Sequence, residues 1–123
     1  MKQINSKQKG ARGEREFAQL LRDHGFEARR GQQYCGANGD ADVICEALPQ
    51  YHFEVKRTET LNLKKAILQS HADCARKNAL GLTKDGYFGT IVPVIMHRYS
   101  GGKWMAIIEA NEFLKMVSKK ENL

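Results

Sequence analysis

Two stretches, Ala41-Asp42-Val43-Ile44-Cys45 and Tyr51-His52-Phe53-Glu54-Val55-Lys56, decide how this chain folds. β-Branched and aromatic residues are frequent in both, and the second stretch alternates between apolar and polar positions, which is typical of strands. Leu48-Pro49-Gln50 lies between them and predicts a turn. The sequence therefore predicts a β-hairpin, with the apolar and the charged residues of its second strand on opposite faces.

Two carboxylates of this hairpin are candidates for a metal site. Asp42 stands near the start of the first strand and can meet Glu54 across the hairpin, where the two charges repel each other unless a cation lies between them. Oxygen ligands favour Mg²⁺, with Mn²⁺ as a substitute, and Lys56 on the same face as Glu54 can steer or help to deprotonate an attacking water. Asp40 competes for the ligand role, but Asp42 is preferred because it directly precedes an apolar pair. These residues predict a metal-dependent phosphodiesterase site, although Glu-Val-Lys is also an ordinary tripeptide of half-exposed strands.

Helical and strand patterns continue on both sides of the hairpin. The predicted elements are, in chain order, a helix over 10–24 ended by Gly25, strands over 27–30, 41–45 and 51–56, a helix over 63–78 with Asn62 as its N-cap, a strand over 88–97 with a bulge or edge position at Pro93, a strand over 103–109, and a helix through Met116 capped by Asn111. This order, α-β-β-β-α-β-β-α, predicts an α/β fold with a mixed central sheet flanked by helices.

Composition restricts the class of protein and its partner. The chain has 123 residues, with 20 Lys and Arg against 14 Asp and Glu, and its formal net charge is +6. This length predicts a single domain over 1–117, followed by a frayed tail over 118–123. A run of about 18 apolar residues is absent, which excludes a membrane span, and three cysteines without C-x-x-C spacing favour a cytoplasmic location. The positive charge favours a polyanionic partner, nucleic acid first.

An ordered set of acidic, basic and glycine positions extends over the first two thirds of the chain. Its segments are Gly10-Ala11-Arg12-Gly13-Glu14-Arg15-Glu16-Phe17, Gly25-Phe26, Arg29-Arg30, Cys35-Gly36, Asp42-Val43-Ile44, Phe53-Glu54-Val55-Lys56, and a helix with Gln69 and Ala75-Arg76-Lys77. This set resembles the archaeal-type Holliday junction resolvases of the PD-(D/E)XK nuclease superfamily, which implies a restriction-endonuclease-like fold. The chain departs from the pattern at Ala41, where the superfamily has proline, and at Cys35, where resolvases commonly have serine.

The resemblance implies a role for each residue of the set. Asp42 and Glu54 would bind the metal, and Glu14 would be a further acidic ligand or a water-mediated contact. Lys56 would be the catalytic lysine, and Gln69 would orient water or substrate. From the residues alone Glu14 has two interpretations: it shares the inward side of its helix with Phe17, or it is an exposed glutamate that answers the helix dipole.

The basic residues of the N-terminal arm and the first helix, and two arginines before the glycine loop, are predicted to contact DNA phosphates. They are Lys7, Lys9, Arg12, Arg15, Arg29 and Arg30. The resemblance implies a Mg²⁺-dependent endonuclease that nicks four-way junctions in pairs, in the cytoplasm or in the host cytoplasm if the protein is phage-encoded. A junction has two-fold symmetry, which implies a homodimer. A nicking, repair or restriction-like nuclease with the same site is the alternative, and a non-catalytic nucleic-acid-binding module is the alternative from another class.

Overall fold

The structure is a computed structural model that describes residues 6–31, 42–80 and 90–118, with side chains for all of these except 6–9 and 77–80. The helices and strands of these ranges are, in chain order, α1 (Ser6–Asp23), β1 (Arg29–Arg30), β2 (Val43–Ile44), β3 (Tyr51–Arg57), α2 (Leu63–Leu80), β4 (Val92–Arg98), β5 (Met105–Ile107) and α3 (Ala110–Ser118). The predicted order of elements is confirmed. The glycine-rich stretch 32–41, with Cys35 and Asp40, and the tail 119–123 lie outside the described residues.

The strands form one mixed sheet in the order β1-β2-β3-β4-β5. β3 and β4 are parallel, and the three other pairs are antiparallel. Parallel neighbours need a long crossover connection, and the segment that contains α2 provides it. Val43 lies opposite Phe53, so the predicted hairpin between the second and third strands is confirmed.

The two faces of β3 have different partners. Phe17 of α1 packs on the apolar face, with its ring centroid 5.3 Å from that of Phe53 and 5.5 Å from that of Trp104. The other face, which carries the charged residues, is covered by α2, where Ser70 and Cys74 are buried. The sheet is therefore flanked by helices on both sides, and the polar residues of β3 lie under α2.

Local sequence signals explain where α1 ends and where α2 begins. Gly25 has a φ of +90°, and its N–H bonds to the carbonyl of Arg22 while the next N–H, of Phe26, bonds to that of Leu21. This is a Schellman motif, and its positive φ favours glycine. At the start of α2, Asn62 Oδ1 accepts the N–H of Lys65 at 3.1 Å, which confirms the predicted N-cap.

One predicted cap was wrong. Asn111 lies inside the first turn of α3, because the helix begins at Ala110 and the carbonyl of Glu109 accepts the N–H groups of Glu112 and Phe113. Pro93 has a local edge position, one of the two that were predicted. It lies opposite His52 in β3 but beyond the paired part of β5, so its missing N–H breaks no ladder bond on the β5 side. None of the helices in the described ranges has the length and apolar character that crossing a membrane requires.

Two glycines of α1 provide a matched test of how closely this helix approaches β3. A Cβ at Gly13 would lie 2.8 Å from the Cβ of Arg57, whereas a Cβ at Gly10 would have nothing within 4 Å. We expect Gly10→Ala to raise the free energy of unfolding by about 0.5–1 kcal/mol, the usual gain from helix propensity. Gly13→Ala should lower it by about 1–3 kcal/mol, because the helix must move away from the sheet. Urea denaturation of both variants measures this, and equal changes would contradict the close contact.

Candidate active site

The pairing of β2 with β3 brings two acidic side chains together. The N–H of Asp42 donates to the carbonyl of Phe53 at 3.0 Å, and Asp42 Oδ2 accepts the N–H of Val55 at 2.8 Å. Since Val43 is opposite Phe53, the neighbouring Asp42 faces Glu54 across the two strands. The Glu54 carboxyl also forms a side-chain hydrogen bond with Asp42. Two carboxyl groups make such a contact only when one of them is protonated or when a cation lies between them.

Glu54 is 5% exposed, and each of its oxygens has a basic neighbour. His52 Nε2 lies 3.6 Å from Oε1, and Lys56 Nζ lies 3.6 Å from Oε2. Burial alone would raise the pKa of Glu54, but the polar contact with His52 and the charge of Lys56 outweigh it, so that the pKa lies below its usual value. Glu54 is therefore ionised at neutral pH and able to act as a ligand.

Glu14 is buried on α1 and reaches Arg30 of β1, the strand at the edge of the sheet. Its Oε1 accepts a hydrogen bond from Arg30 Nε at 2.9 Å. Arg30 is paired with Val43, and the N–H of the next residue, Gly31, bonds to the carbonyl of Asp42 at 2.9 Å. The inward orientation that the helical pattern suggested is the one observed, and the carboxylate is partnered by an arginine.

On α2 the structure brings a different residue to Glu54. Gln69 lies exposed on the helix surface. Four residues later, Asp73 has a carboxylate oxygen within 4.8 Å of ligand atoms of both His52 and Glu54. Sequence analysis predicted neither His52 nor Asp73 as a site residue. The period of two in β3, which puts residues 52, 54 and 56 on one face, could have identified the histidine.

The family model for the archaeal Holliday junction resolvase, Hjc, matches residues 5–78. The chain belongs to the archaeal Holliday junction resolvase family. The matched segment begins just before α1 and contains Glu14, Asp42, Glu54, Lys56 and Gln69. The family that the sequence resembled is thereby confirmed, and it is a family of DNA-binding endonucleases that act in recombination.

A solved resolvase has the same fold. Hjc from Archaeoglobus fulgidus, a Holliday junction resolvase from an archaeal hyperthermophile, is 18% identical, and the match covers 79% of this chain and 73% of that chain with a TM-score of 0.54. Among curated proteins, no significant match to the sequence was found. The predicted α/β fold class is confirmed by the structural match.

The predicted DNA-binding residues of this resolvase family member lie on α1 and β1. Four residues of this predicted set have described side chains, and all four are exposed: Arg12, Arg15, Arg29 and Arg30. The side chain of Arg30 remains 42% exposed although it pairs with Glu14, so part of it is accessible. Lys7 and Lys9 lie in the first turns of α1, and their side chains are outside the described part of the chain.

A second charged cluster, centred on Glu16, was missed by sequence analysis. Glu16 Oε1 accepts hydrogen bonds from Arg57 Nε and Arg98 Nη1, both at 2.8 Å, and Arg12 Nε lies 3.4 Å from Oε2. Burial raises the pKa of Glu16, but the hydrogen bonds and charges of Arg57 and Arg98 lower it by more, so the pKa lies below its usual value. This carboxylate therefore ties α1 to the ends of β3 and β4, beside the site rather than in it.

Proposed function

We propose that this chain is a Mg²⁺-dependent endonuclease that resolves four-way DNA junctions by paired nicks. The observation that carries the proposal is the pair of carboxyls of Asp42 and Glu54, held face to face across β2 and β3 with Lys56 on the same face. Membership of the resolvase family supports the same activity and substrate.

The chemistry of the donor groups fits a hard divalent ion. Asp42 and Glu54 offer carboxylate oxygens, and Mg²⁺ is usually bound in proteins by one or two carboxylates together with waters and substrate phosphates. Asp42 and Glu54 would hold the ion. Glu14 would be a further acidic contact to it, in place of its present hydrogen bond with Arg30. Mn²⁺ would substitute because it accepts the same oxygen ligands. When bound, the ion stabilises negative charge on the phosphate and on the leaving oxygen.

Lys56 is proposed to position the attacking water. Its Nζ lies beside Glu54 Oε2, and its side chain is partly exposed, so that it can contact both solvent and a phosphate. The water would lose a proton and attack phosphorus in line with the leaving 3′ oxygen. The P–O3′ bond breaks, and the leaving oxygen takes up a proton to give 3′-hydroxyl and 5′-phosphate ends. Gln69, on the exposed surface of α2, would orient water or substrate.

A homodimer would supply the two sites that paired nicks require. The apolar face of α3 supports this assembly: none of its residues is buried, and nine residues are too few for a helix to be stable without packing. Its exposed apolar side chains are Phe113, Leu114, Met116 and Val117. A second copy packed on this face would bury them, while the net charge of +6 and the exposed arginines would attract the DNA arms.

Substitution of Glu54 and Lys56 separates cleavage from binding. We expect Glu54→Gln and Lys56→Ala each to slow cleavage of a labelled four-way junction at least about 100-fold. The dissociation constant for the junction should change little, because phosphate contacts elsewhere supply the affinity. Lys65→Ala, an exposed lysine at the start of α2, is the matched control and should cut at the wild-type rate.

The same assay tests the metal. Cleavage should stop in excess chelator and return with Mg²⁺ or Mn²⁺, but not with Ca²⁺, which takes more ligands at longer distances. A wild-type rate for Glu54→Gln or Lys56→Ala would contradict the assignment of the site, and cleavage in excess chelator would contradict the metal mechanism.

Competition between DNA forms tests the substrate. Labelled junction is mixed with excess linear duplex of equal length at moderate salt, and paired cuts on opposing strands are scored. We expect linear DNA to compete weakly and to be cut little, because only a branched substrate presents two scissile phosphates to both sites of a dimer. Phe113→Asp, which should separate the protomers, is expected to turn paired cuts into single nicks. Equal competition and equal cutting of linear DNA would instead support a general nuclease.

A further inference from the structure

His52 is a polar residue in an unusual place for a strand at the centre of a sheet. It is 1% exposed and lies on β3 opposite Pro93 of β4. Its Nε2 faces Glu54 Oε1 at 3.6 Å, on the side of the carboxylate away from the Lys56 contact with Oε2. The proposed mechanism uses Glu54 with Asp42 and Lys56 and assigns no role to this imidazole.

Asp73 completes a compact group with these two residues. The ligand atoms of His52, Glu54 and Asp73 all lie within 4.8 Å of one another. Bonds of about 2.0–2.1 Å to zinc place neighbouring ligand atoms of a tetrahedral site roughly 3.4 Å apart. The His52 to Glu54 distance of 3.6 Å is close to that value, and Asp73, with 28% of its side chain exposed, has room to adjust.

Two further polar residues of α2, Arg76 and Ser70, lie on either side of Asp73 in the sequence. Arg76 Nη2 lies 3.6 Å from Asp73 Oδ1, but both side chains are partly in solvent, and such pairs contribute little to stability. Ser70, one turn before Asp73 on the same side of α2, is fully buried, and its hydroxyl forms no hydrogen bond with any described residue. It lines a cavity of about 100 Å³ together with His71, Glu109, Pro93 and Ile95, and the three proposed ligands are not part of that lining. A water there would have polar partners.

We propose that His52, Glu54 and Asp73 form a second cation site, for a transition-metal ion of the Zn²⁺ and Co²⁺ class. The imidazole selects such ions over Mg²⁺, which prefers oxygen ligands alone. Glu54 would then serve two sites through its two oxygens: Oε2 on the side of Lys56 and Oε1 on the side of His52. The site is a property of the folded chain and does not depend on the proposed nuclease activity.

Cobalt absorbance tests this site directly. Co²⁺ is titrated into the purified full-length chain with Mg²⁺ in large excess, and the visible absorbance of the ion is followed. We expect a single tight Co²⁺ site that Zn²⁺ displaces and Mg²⁺ does not. His52→Asn and Asp73→Asn should each weaken Co²⁺ binding at least about tenfold, since even outer contacts of a metal site contribute this much. Circular dichroism establishes that each variant is folded. If replacement of the buried His52 prevents folding, the Asp73→Asn variant, at a partly exposed position, provides the test.

Two control variants make the outcome specific. His71→Asn removes an exposed histidine of α2 that lies 3.6 Å from Glu109, and it should leave Co²⁺ affinity unchanged. Asp42→Asn should also keep the Co²⁺ site while it abolishes Mg²⁺-dependent cleavage, so failure of the nuclease proposal and failure of this one are distinguishable. Unchanged affinity in folded Asp73→Asn, loss of affinity in His71→Asn, or a thiolate-to-cobalt charge-transfer band, which would indicate a cysteine ligand, would each overturn the proposal.

Discussion

The hydrogen bond from the Val55 N–H to Asp42 Oδ2 fixes the arrangement on which the site depends. It occurs just before the start of β2, where a side-chain oxygen of Asp42 accepts a main-chain N–H of β3. The same bond holds one carboxylate against the next strand, directly beside Glu54. Backbone pairing therefore enforces a contact that the charges alone would oppose. A cation relieves this repulsion, so the strand pairing that brings the two carboxylates together also favours metal binding.

The helices support this arrangement from both faces of the sheet. On the α1 side the approach is close, since Gly13 leaves no space for a Cβ above Arg57, and Glu16 binds two arginines at the ends of β3 and β4. On the α2 side the polar residues of β3 are covered rather than exposed, so that Glu54 is buried and yet ionised. Low exposure strengthens the electrostatic interactions of such a group, and the basic neighbours of Glu54 are the compensation for its burial.

Features that depend on neighbouring residues could be predicted from the sequence. The alternation of β3, the Gly25 stop and the Asn62 cap are decided within a few positions, and the structure has all three. The predicted Asn111 cap was wrong because the start of α3 is set by the carbonyl of Glu109, just after β5, and not by the nearest good capping side chain.

Contacts between distant elements could not be predicted in the same way. Glu14 meets Arg30 because β1 pairs with β2 beside α1, and Asp73 meets His52 only through the packing of α2 on β3. The opposition of Asp42 and Glu54 was predictable because a single short hairpin determines it. The catalytic roles of Glu14, Asp42, Glu54, Lys56 and Gln69 and the DNA contacts remain predictions.

The most direct measurement of the central claim is the free energy of unfolding of wild type, Asp42→Asn and Glu54→Gln, each in chelator and in Mg²⁺. Asparagine retains an oxygen that can accept the Val55 N–H, so the strand pairing is kept while the charge is removed. In chelator we predict that Asp42→Asn is at least as stable as wild type, because one of two facing carboxylates is gone, whereas Glu54→Gln also loses the charge contacts of Glu54 with His52 and Lys56. Mg²⁺ at about a hundred times its dissociation constant should stabilise wild type by about 2.7 kcal/mol and the variants by much less. Equal stabilisation of all three proteins by Mg²⁺ would contradict the claim that this carboxylate pair is the metal site.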